Sequence, residues 1–307
     1  MHRIPAALAV LGLSALTLVA CASAPSAQSC ERHDTDSTVL DVVKTTGGFG
    51  APTLVQSAPV YVPETTFTDR TVGDGPRITS GQQPVTFDIV ISNGSSGEIL
   101  VPSGSTPPAA VDSFRETYPG LSDMLMCATE GSRIVGAIPA SDLGESITSQ
   151  LGLTGKQSIV VTVDLTKVYL AAADGAPQYN DRRGMPAVVL APNGQPGVVI
   201  PDSAAPTTLT VETLKKGSGA VISDSDTARV QYTGVDWDTR TVTNSTWDAG
   251  TSAGVGKGSN VAFASQLAGA TVGSQLLIVE PASGGKGSAT VYVVDILGID
   301  PPSTPTR

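Results

Sequence analysis

Arg229-Val230-Gln231-Tyr232-Thr233-Gly234 alternates polar and apolar residues and ends on a turn former, the pattern of a half-buried strand. A polar loop follows, then a short apolar segment from Val261 to Leu267. Gly273-Ser274-Gln275-Leu276-Leu277-Ile278-Val279-Glu280-Pro281 comes next, and Ala289 to Ile299 (ATVYVVDILGI) closes the stretch as a β-branched strand. Strands wrapped around one short helical segment describe an α+β unit with an antiparallel sheet.

The same order occurs earlier in the chain. Leu125 is followed by Gly131-Ser132-Arg133-Ile134-Val135 and then Pro139-Ala140-Ser141, and Leu267 by Gly273-Ser274-Gln275-Leu276-Leu277 and Pro281-Ala282-Ser283, at a constant offset of 142. Thr65 to Thr68 answers Thr207 to Thr210, Val85-Thr86-Phe87 answers Val230-Gln231-Tyr232, and Val163-Asp164-Leu165 answers Val294-Asp295-Ile296. The reading is a leader over 1–20, a tether over 21–45, domains over 46–171 and 206–300, a linker over 172–205 and a disordered polar tail over 301–307. Within the linker, Ala187 to Leu190 is a candidate leading strand of the second copy. Pro119 to Met126 and Phe263 to Leu267 are the expected helices, one for each copy. Leu143, Ile147 and Leu151 in the 140–158 connection have helical spacing, suited to plain core packing or to a lid.

Composition agrees with a turn-rich β protein: 33 Gly and 22 Pro among 307 residues, with 40% hydrophobic and only 15% charged. A formal net charge of −10 excludes the basic surface that nucleic acid demands. The two histidines, His2 and His33, fall in the leader and the tether. Histidine triads and histidine metal sites are therefore excluded from the two domains, and neither a metal nor a cofactor is expected.

Met1-His2-Arg3, the apolar run from Ala6 to Ala20, and Leu18-Val19-Ala20-Cys21 form a leader that resembles a bacterial lipobox. Lipidation at Cys21 would hold the protein at the outer face of the bacterial cytoplasmic membrane. The alternative is a secretory signal cut near Ala22 to Ala24. For Cys30 and Cys127 two readings stand: a disulfide, or a free Cys30 with Cys127 as a small core residue.

V-x-Y-T-G (Val230 to Gly234), L-x-G-x-x-V-G-S (Leu267 to Ser274), the apolar strand ending in Pro281, and V-x-V-V-D-I-L (Val291 to Leu297) together resemble the FKBP-type peptidyl-prolyl isomerases. The resemblance implies two FKBP-like domains, each an antiparallel sheet on one short helix. It also implies action on Xaa-Pro bonds of secreted or envelope polypeptides. It places Tyr232 and Phe263 in a pocket, with Asn244 where the family has an aspartate, unless Trp247 and Asp248 slide in from four residues downstream. Thr243 stands for a pocket phenylalanine and Ser259-Asn260 for a Val-Ile pair, so the activity expected is weak. The other readings are a non-catalytic module that binds proline-containing segments and a structural envelope lipoprotein. In the first copy, Phe87 takes the tyrosine position and no catalysis is expected.

Overall fold

The computed structural model describes residues 30–32, 37–179, 183–282, 284 and 287–302. The expectations for the leader, Cys21 and the tail beyond Pro302 lie outside these residues. The described residues from Arg32 onward form one compact unit.

The chain begins with a hairpin, β1 (Val43–Thr46) and β2 (Thr53–Gln56), preceded by a 3-10 turn at Thr38–Val42. Next come β3 (Thr66–Thr71), β4 (Pro84–Asn93), β5 (Ile99–Ser105), β6 (Ala109–Ala110), helix α1 (Pro119–Leu125), β7 (Arg133–Pro139), helix α2 (Glu145–Gln150) and β8 (Ser158–Val168). They make an antiparallel sheet in the order β3-β7-β8-β4-β5, with β6 on β4. Then follow β9 (Ala176–Pro177) and a second hairpin, β10 (Ala187–Leu190) and β11 (Pro196–Val199). The remaining strands are β12 (Thr210–Lys216), β13 (Ala228–Asp236), β14 (Val242–Ser245), β15 (Ala253–Val255), β16 (Gln275–Glu280) and β17 (Thr290–Ile299). With β9 they form an antiparallel sheet in the order β14-β13-β17-β16-β12-β9, with β15 on β13.

Matched hydrogen bonds recur in the two sheets. Ser132 Oγ accepts from Gly73 N at 3.0 Å, and Ser274 Oγ from Gly217 N at 3.0 Å. Gly131 N donates to Leu165 O, and Gly273 N to Ile296 O, each at 2.8 Å. Both glycines have φ near +90°, a conformation side chains resist, which is why Gly-Ser occurs at both places.

Each sheet is buried on both faces, and this explains its near-continuous apolar strands. In the second, Val230, Tyr232, Leu276, Ile278, Val294 and Ile296 face a front core with Phe263 and Leu267. Leu277, Val279, Val291 and Val293 face a back core closed by the β10–β11 hairpin through Val188, Val198 and Ile200. The first sheet is covered behind by the 3-10 turn and the β1–β2 hairpin, where Leu40, Val43 and Leu54 are buried. Burying one such aliphatic side chain contributes about 1.5–3 kcal/mol. Residues read as the end of the tether (Leu40, Val43) and as linker (Val188, Ile200) therefore belong to cores.

The helices differ from the expectation of one for each copy. Both α-helices among the described residues, α1 and α2, lie with the first sheet, whereas the segment that carries Phe263 in the second forms only a 3-10 turn, at Ala264–Gln266. Gly269, six residues after the buried Phe263, has positive φ and turns the chain away, so the segment is too short for an α-helical ladder to build. Leu143 and Leu153 are buried in the first core and Leu151 packs against it, which makes the connection around α2 core rather than lid.

The sheets are joined through Tyr169, 1% exposed. Its hydroxyl donates to Asp300 at 2.9 Å, and Arg229 Nε donates to the same carboxylate at 3.0 Å. Leu170 N also donates to Leu297 O at 3.1 Å.

Candidate functional site

Tyr232 sits mid-strand in β13 with its ring on the front face. Its backbone is held by Thr246, whose Oγ1 accepts from Tyr232 N at 2.8 Å and donates to Tyr232 O at 3.2 Å. Phe263, fully buried just before the 3-10 turn, brings its ring edge-on to Tyr232 with centroids 5.0 Å apart. Tyr292 on β17 completes a cluster, 5.1 Å from Phe263 and 6.4 Å from Tyr232. Such pairs contribute about 0.5–1.5 kcal/mol each beyond the area they bury.

Gly234 has a specific reason to lack a side chain. A Cβ there would lie 2.9 Å from the Tyr292 ring and 3.1 Å from Thr243 Oγ1. The glycine thus leaves Tyr292 its place beside the sheet, and Tyr292 is the partly exposed ring of the three. Burial pushes the Tyr292 hydroxyl pKa up, and the neighbouring Tyr232 and Glu280 push it the same way. The arrangement is an aromatic cluster that is buried at Phe263 and Tyr232 and partly exposed at Tyr292.

Of the residues singled out from sequence, Tyr232 and Phe263 are brought together. Asn244 is exposed on β14, opposite Gly234. Trp247 and Asp248 do not slide in beside Tyr232. The indole packs toward the turn of the β10–β11 hairpin, where a Cβ on Gly194 would lie 3.3 Å from it, and Asp248 accepts from Gln195 Nε2 at 2.8 Å. The Gln195–Asp248 hydrogen bond holds this segment at the hairpin turn instead.

Tyr292 and Glu280 are not among the residues that the sequence motifs single out. Strand alternation carries the signal for them: with period two, Tyr292, Val294 and Ile296 share one face, and Glu280 follows Ile278 on that same face. An open groove of about 490 Å³ beside the 3-10 turn, lined by Ile222, Lys257, Ser259 and Ala264 among others, contains none of the three rings.

The corresponding place under the first sheet is filled. Phe87, 1% exposed, packs on Phe114 at 5.5 Å, and Leu121, Met124 and Leu143 close over them. No group of His, Cys, Asp and Glu suited to a metal occurs among the described residues, and no helix there is long and apolar enough to cross a membrane. Cys30 and Cys127 are each disulfide-bonded. Arg32 donates to the carbonyls of Met124 and Met126 and pairs with Asp69, fastening the chain at the end of α1.

No protein-family model and no curated protein matches the chain. Solved structures do. The three FKBP domains of wheat FKBP73 match at 11% identity over 77% of this chain and 94% of that one, with a TM-score of 0.33. A peptidyl-prolyl cis-trans isomerase from Pseudomonas syringae matches at 21% identity over 35% and 77%, with a TM-score of 0.29. FkpA from Escherichia coli matches at 19% identity over 40% and 55%, also with a TM-score of 0.29.

Proposed function

We propose that the chain carries two FKBP-like domains, and that the second is a peptidyl-prolyl isomerase of low activity acting on Xaa-Pro bonds of extracytoplasmic polypeptides. The observation that carries this reading is the Tyr232–Phe263–Tyr292 cluster with Gly234 beside it. The barrier to rotation, about 18–20 kcal/mol, is lost amide resonance. A twisted prolyl amide is less dipolar than the planar one, so an apolar surface favours it, and a hydroxyl donor can hold the turned carbonyl. Covalent chemistry is not required. Exposure of Asn244 removes the side chain that the family resemblance places beside the tyrosine, which accounts for a low rate. It also favours the second reading, a module that holds proline segments without turnover. The proposed setting is a lipid anchor at Cys21, on the outer face of the bacterial cytoplasmic membrane, with Cys30 paired to Cys127.

The test is exchange between the cis and trans NMR peaks of an Ala-Pro peptide, with and without the purified chain. Acceleration that Tyr232→Phe and Phe263→Ala both diminish, with circular dichroism unchanged, is the expected result. An uncatalysed rate with a folded chain overturns the enzyme reading and leaves the binding module and the structural lipoprotein.

A further inference from the structure

Glu280 ends β16, whose front-facing residues are Leu276 and Ile278. Alternate residues of a strand face the same side, so Glu280 stands on the face that carries Tyr232 and Tyr292. Its cross-strand partner is Thr290, and Ile278 lies opposite Tyr292. The carboxylate is thus at the rim of the aromatic cluster and half-buried, and its charge adds to the burial that pushes the Tyr292 hydroxyl pKa up. Among the described residues no cation pairs with it.

The first half shows what a purely structural residue looks like at this place. At the repeat offset, Ile138 precedes Pro139 as Glu280 precedes Pro281. Ile138 is 1% exposed and lies under Gly120 of α1. Packing alone asks for an apolar side chain there. A carboxylate beside an accessible aromatic ring, on a chain of net charge −10, faces solvent with a negative field that favours cations.

We infer that Glu280 makes the aromatic site of the second half selective for proline segments that carry lysine or arginine next to the proline. The inference rests on the reading of that site as one for prolyl segments. A partly exposed ion pair of this kind corresponds to roughly a two- to fivefold preference, reduced by salt.

The experiment titrates three peptides, identical except for Lys, Ala or Glu before the proline, into the isotopically labelled full chain at low and high salt. Dissociation constants are read from chemical shifts, and cis–trans exchange is recorded on the same samples. The expected result is two- to fivefold tighter binding of the Lys peptide than of the Glu peptide at low salt. Glu280→Gln should remove that difference, and the distant Asp224→Asn should keep it. Equal binding of the Lys and Glu peptides, or a difference that survives in Glu280→Gln, overturns the inference. In that case, acceleration of the Ala peptide decides separately whether isomerisation stands. Failure of all three peptides to bind would sink both.

Discussion

Asp164 and Asp295 occupy the same place in the two halves, are both essentially inaccessible to solvent, and are held in opposite ways. Arg133 grips Asp164 with two bonds, at 2.6 and 2.7 Å, and Gly50 N adds a third at 2.7 Å. The same guanidinium donates to the carbonyls of Gly47 and Gly48, so one ion pair bolts the β1–β2 hairpin to its sheet. In the second half the arginine is Gln275. Asp295 accepts from its amide at 2.7 Å and from Ala173 N at 2.8 Å, and no cation among the described residues forms an ion pair with it. Burial raises the Asp295 carboxyl pKa, with these hydrogen bonds and Lys215 opposing it. A repeat thus preserves a buried carboxylate while its partner changes, and the partner decides which segment docks. The β1–β2 hairpin sits on Arg133–Asp164, whereas the segment leaving the first sheet takes that role at Asp295. The β10–β11 hairpin turn is left to dock on Trp247 and Asp248.

The largest effect should come from Asp164→Ala. It leaves Arg133 uncompensated in a largely buried site, a loss of about 3–5 kcal/mol, read from the urea midpoint. If Asp295→Ala costs the same, the contrast between the two aspartates is broken. Next is Asp300→Ala, which strips the acceptor from both Arg229 and the Tyr169 hydroxyl. Bonds to a charged group contribute about 1.5–3 kcal/mol, so this variant should unfold at lower urea, and Tyr169→Phe should lose less. The smallest effect is Asp295→Asn. Because the folded carboxyl is raised above its unfolded value, its contribution to stability is fully present below about pH 4 and is lost as pH rises through the folded value. The variant should therefore lose the decline that the parent shows as pH rises above about 4. A parent whose stability rises over that window would contradict the assignment.

Asymmetry between the aromatic sites follows the same lesson. Phe87 and Tyr232 are equivalent strand positions, yet α1 and the connection around α2 fill the space at Phe87 with Leu121, Met124 and Leu143. The short 3-10 turn at Ala264–Gln266 leaves Tyr292 partly open in the second half. Tyr232 and Phe263 were legible because each sits in a motif with fixed spacing. Trp247 was not, since its direction depends on a hairpin some fifty residues upstream, and no local pattern encodes that contact.

The sequence by itself determined the strands, through alternation and β-branched runs, and the two Gly-Ser turns, through a backbone conformation that only glycine adopts readily. It also determined the repeat and the meeting of Tyr232 with Phe263. Tertiary structure alone decided what covers the back of each sheet, which partner each buried aspartate has, and that Tyr292 and Glu280 border the same site. The reason is physical: strand and turn preferences act within a few residues, whereas burial, ion pairing and edge-on ring contacts depend on segments that meet only when the chain is folded.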